Sequence, residues 1–123
     1  MLILIGADGC NLQSQVARRF GHAAFFITYD TETKVVTTYE NNNLEHDHSN
    51  LFAFLEKGVG AFIVGNIGPH AFKIVNTSLS KVYLARKMSV QEAVDKFSRE
   101  ELKQLSEPTA KRSIGHIHQE NKC

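Results

Sequence analysis

The chain has 123 residues, a formal net charge of +1, and 42% hydrophobic and 22% charged residues. That length suits one domain around a single core, and a charge so near neutral does not demand the basic face of a nucleic-acid binder. No segment approaches the ~20 apolar residues of a membrane span, and "MLILIG" is too short and too neutral at its start for a signal peptide. A cytoplasmic protein that binds neither nucleic acid nor membrane is therefore expected. The two cysteines, Cys10 and Cys123, are too few for a disulfide framework, and the cytosol disfavours pairing them.

Taken in chain order, "LILIG" (2–6) is a continuous apolar run, the pattern of a strand covered on both faces. Residues 7–22 are polar and aperiodic and predict a long loop with at most one helical turn. "AAFFITYD" (23–30) and "KVVTTYE" (34–40) are rich in aromatic and β-branched residues, and the short "TET" between them predicts a hairpin. Residues 41–50 read as loop, with Asp47 or Ser49 as a helix cap. "LFAFLEKG" (51–58) predicts a helix stopped by Gly58. "GAFIVG" (60–65) is a second buried strand, Pro69 opens a short helix, and "SKVYLA" (80–85) is a further parallel-type strand. Ser89 and Glu92 form a capping-box pattern ahead of the stripe Val90, Ala93, Val94 and Phe97. Ser98 and Glu101 repeat the box before Leu102 and Leu105. From 106 to 123 the chain holds Pro108 and few core-forming residues, and reads as a flexible polar tail beyond a single domain of 1–105.

The order β-β-β-α-β-α-β-α fixes which loops share an edge. If the first strand pairs antiparallel with the second, the loops 7–22, 41–50, 65–70 and 85–88 all leave the same edge. They carry Cys10, His22, His46, His48, His70, Arg86 and Lys87. Should the first strand also lie between the second and fourth, that edge is a topological switch point, where open α/β sheets bind ligands.

The segment "GNIGPHAF" (65–72) poses the sharpest question. Glycines after a strand let a ligand approach the backbone, and a helix opening offers N–H groups that favour an anion. The plain alternative is a strand-to-helix connection with Pro69 at the first helical position. The segment matches neither a Walker loop nor the three-glycine dinucleotide pattern. Cys10 offers a soft ligand for an iron–sulfur, copper or zinc centre, but one thiolate needs help from histidine or hydrogen bonds; otherwise it is a small residue under its loop. "EHDH" (45–48) is either a metal-binding tract or a solvated loop. His116, His118 and Cys123 lie in the tail. Catalytic signatures are thin. There is no nucleophile elbow, and a two-metal nuclease needs several carboxylates together, whereas Asp8 and Asp30 are expected at opposite ends of the sheet.

"GVGAFIVGNIGPHAF" (58–72) resembles the central signature of the dinitrogenase iron–molybdenum cofactor biosynthesis family. "RRFGHAAFFITYD" (18–30) resembles its Phe-Gly turn entering the second strand, and "KVYLARKMSVQEAVDKF" (81–97) its final strand and helix. The resemblance implies a three-layer, ribonuclease-H-like α/β fold. Its mixed five-stranded sheet has the order 3-2-1-4-5, with strand 2 antiparallel, and is flanked by helices. It also implies a non-enzymatic protein that binds or carries an anionic metal–sulfur cluster: the iron–molybdenum cofactor, a precursor or a related heterometal sulfide. The purified protein need not retain the cluster, and a donor or acceptor protein is the expected partner. Many members carry a histidine before the Phe-Gly turn, where this chain has Arg19. On this reading the cluster meets the backbone of Gly65, Asn66, Ile67 and Gly68 with His70, and the cations Arg19, Arg86 and Lys87. One or two metal ligands come from Cys10, His22, His46, His48 and His70. The alternative is an interaction or regulatory module of the same fold that no longer binds a cluster.

Overall fold

The structure, a computed structural model, describes residues 1–41, 49–77 and 79–109. The expected cap at Asp47 or Ser49, His46 and His48, and the tail residues His116, His118 and Cys123 lie outside what can be described at side-chain level. The strands are β1 (Leu2–Ala7), β2 (Phe25–Asp30), β3 (Val36–Glu40), β4 (Val59–Val64), β5 (Lys81–Leu84) and β6 (Lys103–Leu105). The helices are α1 (Ser49–Glu56), α2 (Pro69–Val75) and α3 (Val90–Ser98). All six strands form one sheet in the order β3-β2-β1-β4-β5-β6. β1 is antiparallel to β2, parallel to β4, and β4 is parallel to β5.

The alternation of side chains along each strand divides the core into two layers. Leu4, Phe26, Phe62, Val64 and Val82 face one way and are covered by Leu51 and Phe54 of α1 and Ala71, Phe72 and Val75 of α2. Ile3, Ile5, Ile27, Ala61 and Ile63 face the other way and are covered by Val90, Ala93 and Val94 of α3. β1 is apolar throughout because it sits mid-sheet with helices on both sides. β3 is the mostly exposed edge.

The expected topology is present, with one correction: the sheet has six strands, not five. The repeated box at Ser98 and Glu101 does not start a helix. α3 ends in a Schellman motif, in which Glu101 N–H bonds Lys96 O at 2.9 Å and Glu100 N–H bonds Phe97 O at 3.0 Å. Glu100 takes the left-handed conformation this motif needs, at φ 58°. The reversal lays 103–105 antiparallel on β5, where Leu105 pairs with Val82 and is buried. At α3's other end the expected cap is present: Ser89 Oγ accepts from Glu92 N–H at 3.1 Å. In the hairpin, Asp30 Oδ1 accepts from the N–H groups of Glu32 and Thr33 at 2.8 and 3.3 Å. Those two bonds hold the Asp30 carboxyl below its ordinary pKa.

Candidate functional site

The carboxyl ends of β1, β4 and β5 lie side by side, and the connection 8–24 crosses over them. The crossing is visible in which layer each residue enters. Leu12 and Val16 pack on the α3 side, whereas Ala17 and Phe20 pack on the α1/α2 side. The first half of this strap is held on the α3 side, since Asp8 N–H bonds Gln15 O at 2.9 Å and Val16 N–H bonds Met88 O at 2.9 Å. Ser14 O and Leu12 O accept the first N–H groups of α3, from Val90 and Gln91, at 2.8 and 2.9 Å. At the crossing, Ala17 N–H bonds Gly6 O at 2.8 Å. Past it, Phe20 anchors the strap among aromatic rings, 5.3 Å from Phe26 and 6.1 Å from Phe62 between centroids.

Two glycines form the bed of this strap. A Cβ on Gly65 would strike the carbonyl oxygen of Ala17 and lie 3.0 Å from that of Arg18. A Cβ on Gly6 would lie 3.0 Å from the Phe20 ring. The switch point between β1 and β4 is therefore filled by the chain's own backbone. Gly65 is required by that approach rather than by a ligand entering from outside.

The turn 65–68 joins the strap to the loop after β5. Asn66 Nδ2 donates to Arg18 O at 3.0 Å, and Asn66 O accepts from Phe20 N–H at 2.8 Å. Arg86 Nε donates to Gly65 O at 2.9 Å, and Arg86 Nη2 donates to Asn66 Oδ1 at 2.6 Å. One asparagine side chain thus spans from the Arg18 backbone to the Arg86 guanidinium. Arg18 and Arg86 are exposed and Arg19 is half-buried, and all three lie on segments hydrogen-bonded to Asn66. Lys87, at φ 57°, stands exposed beside them. Gly68 is α2's N-cap, with φ −80° and ψ 170°, a conformation open to any residue. Ile67 is buried, and its N–H donates to Thr109 Oγ1 at 2.8 Å.

The candidate ligands are less concentrated than the topology suggested. The Cys10 carbonyl accepts from Thr38 Oγ1 at 2.9 Å. Thr38 is in register with Ile27, so Cys10 folds back over the α3 side of β3. Contrary to the expectation that the cysteines stay unpaired, Cys10 is disulfide-bonded, and in that form its sulfur is not a thiolate ligand. His70, in the first turn of α2, is exposed on the opposite face of the sheet. His22 ends a 3-10 turn, Phe20–His22, whose Phe20 packs in the α1/α2 layer, so His22 and His70 belong to the same side of the edge. Among the described residues no three His, Cys, Asp or Glu side chains come together to hold a metal ion. Asp8 and Asp30 lie at opposite ends of the sheet, as expected from Leu2 pairing with Asp30 and Ala7 with Phe25. Asp8 closes β1 at the rim. Much of its surface is open, yet partial desolvation pushes its carboxyl above the ordinary value.

Three participants were missing from the sequence reading. Arg18 stood beside the chosen Arg19, and Asp8 was weighed only as a nuclease carboxylate. Thr109 carried no signal, because its role depends on a return of the chain that only the sixth strand produces.

Residues 1–100 match the family described as dinitrogenase iron-molybdenum cofactor. The chain belongs to that family. Among solved structures, it is 34% identical to a Thermotoga protein provisionally named NifB and assigned to the DUF35 family. That match covers 89% of this chain and 97% of the other, with a TM-score of 0.77. The apo form of the orange protein from Desulfovibrio gigas has a TM-score of 0.80 at 24% identity, over 89% of this chain and 96% of that one. A Methanocaldococcus jannaschii protein provisionally named a dinitrogenase gives 0.65 at 20% identity, over 88% and 97%. The latter two show the shared fold. No relative with a curated function matches the chain. Among the described residues, no helix is long and apolar enough to cross a membrane.

Proposed function

We propose that this protein binds and carries an anionic metal–sulfur cluster at the carboxyl edge of its sheet. The cargo is the iron–molybdenum cofactor, a precursor or a related heterometal sulfide. The observation that carries the reading is the aimed guanidinium of Arg86, fixed by two bonds to the Gly65–Asn66 turn beside Arg18 and Arg19. A guanidinium held at Nε and one Nη still has N–H groups left for an anion. The donor set fits an anionic cargo better than a bare cation, since cations lie on the segments around this turn and, among the described residues, no three-ligand group does.

In this reading Arg19, Arg86 and Lys87 neutralise the cluster, and the backbone at Asn66, Gly68 and His70 adds donors. Gly65 serves by shape beneath the strap, and Ile67 keeps its side chain in the core while its N–H is the donor bonded to Thr109 Oγ1. His70 and His22 are the ligand candidates on the α1/α2 side. Cys10 is one only when reduced, and His46 and His48 complete the set. The protein acts as a carrier in the cytoplasm rather than as a catalyst, receiving the cluster from a donor protein and giving it to an acceptor.

The test is iron, molybdenum and acid-labile sulfide analysis after purification without air, followed by optical titration with tetrathiomolybdate. A stoichiometric cluster or saturable uptake is expected. Arg86→Gln should weaken uptake by about tenfold, the worth of one charge-assisted hydrogen bond. It should also flatten the salt dependence. A parent protein that takes up nothing would overturn the carrier reading and leave an interaction module of the same fold.

A further inference from the structure

Beyond β6 the chain does not leave the domain at once. Residues 106 and 107 are exposed, 108 and 109 are half-buried, and Thr109 reaches the turn after β4. There it closes on one residue from both sides. Thr109 Oγ1 accepts from Ile67 N–H at 2.8 Å, and its hydroxyl donates to Ile67 O at 3.4 Å. Thr109 N–H donates to the same carbonyl at 3.1 Å. Ile67 thus presents its N–H and its C=O to a single residue 42 positions away. The neighbouring residue, Asn66, holds both Arg18 and Arg86.

We propose that residues 106–109 form a clasp that closes the cluster-binding turn, so that cargo and Thr109 compete for the Ile67 N–H. The proposal rests on the carrier reading and adds a regulatory step to it. Three observations support a latch rather than a permanent part of the core. The segment's bonds to the turn run through one threonine. The strand that precedes it, Lys103–Leu105, is three residues long. Its residues 106 and 107 are exposed, so moving it removes little apolar surface from cover. The Ile67 N–H is also the donor in this turn that the chain itself already fills with an oxygen acceptor. An anionic sulfide cluster would seek the same hydrogen bond. Loading then opens the clasp, and unloading lets it close behind the departing cargo.

The experiment uses the full chain with tetrathiomolybdate as probe and compares the parent, Thr109→Val and Thr109→Ser. Valine keeps the shape and removes the hydroxyl. Serine keeps the hydroxyl and should behave as the parent. Circular dichroism and melting confirm that each is folded. Thr109→Val should bind the probe about two- to tenfold more tightly, the fold-change of one neutral hydrogen bond no longer displaced. Amide exchange gives a second readout. On loading the parent, the Thr109 amide should lose protection while the Ile67 amide keeps it. Equal or weaker binding by Thr109→Val, or an unchanged Thr109 amide in the loaded parent, overturns the clasp while leaving the carrier reading in place. A parent that binds only weakly beside a Thr109→Val chain that binds tightly supports the clasp in its strongest form. Failure of all three to bind overturns the carrier reading and the clasp with it.

Discussion

Replacing Gly65 by alanine isolates the contact on which the rim is built. The added methyl would collide with the Ala17 carbonyl oxygen and sit 3.0 Å from the Arg18 oxygen and 3.2 Å from Arg18 Cα. All three are backbone atoms, so no rotamer change relieves the clash. Either the strap rises or the end of β4 tilts. Rising stretches Ala17 N–H to Gly6 O and Phe20 N–H to Asn66 O, both 2.8 Å, and Asn66 Nδ2 to Arg18 O, 3.0 Å. Overpacking costs about 1–3 kcal/mol, and each weakened bond adds a fraction of the roughly 0.5–1.5 kcal/mol that a hydrogen bond contributes. A loss of about 3 kcal/mol is expected, or about 12 °C in Tm for a domain of this size. Gly21→Ala is the control, because a methyl there meets nothing within 4 Å. Its effect should stay within about 0.5 kcal/mol. Urea and thermal unfolding followed by circular dichroism measure both. A Gly65→Ala protein melting within about 2 °C of the parent would refute the reasoning. Gly65 would then be kept free for a ligand rather than for the strap.

The sheet order was legible because its causes are local. The hairpin at 31–35 sets β2 against β3, and the doubly apolar β1 demands a central place. Helices between β3, β4 and β5 force parallel pairing across β1, β4 and β5. The sixth strand was not legible, since the Schellman turn that creates it uses Glu100 where glycine is usual. With no glycine to mark a stop, Ser98 and Glu101 read as a new helix. The site divides the same way. Topology correctly assigned the described loops 7–22, 65–70 and 85–88 to one edge, yet it could not tell on which face each comes to rest. Cys10 and His70 separate across the sheet because the strap changes layers between Val16 and Ala17. Nothing in the residue types at 7–22 announces that crossing. What could be read was its consequence, the glycines at 6 and 65 that it needs. The sequence reading weighed an approaching ligand against a plain strand-to-helix connection at Gly65, and the backbone that approaches it is the chain's own strap.

Two further substitutions test the frame and the rim. Ser89→Ala removes the acceptor for Glu92 N–H and should cost about 1 kcal/mol in urea unfolding, with Ser89→Gly costing only a few tenths; equal losses would show that the hydroxyl does not cap α3. Asp8→Asn tests the charge at the end of β1. Partial desolvation raises the Asp8 carboxyl above 3.8, so between 3.8 and its raised value the folded chain holds this proton more firmly than the unfolded chain does. The sign follows: as pH rises through that window the folded state loses stability, and the whole loss is present above it. Asparagine cannot ionise and escapes the loss. Asp8→Asn should therefore stabilise the protein at about pH 7 relative to its effect at about pH 3, where the aspartate is already neutral. Solvent on the open side of Asp8 keeps the difference small, so it is best read from paired urea titrations of the two proteins at both pH values. The same change removes a negative charge from an edge where Arg18, Arg19, Arg86 and Lys87 collect, so tetrathiomolybdate should bind the variant more tightly, increasingly so as salt is lowered. A stability difference equal at both pH values would show that the carboxyl is not desolvated. Unchanged binding at low salt would place the anion away from the end of β1.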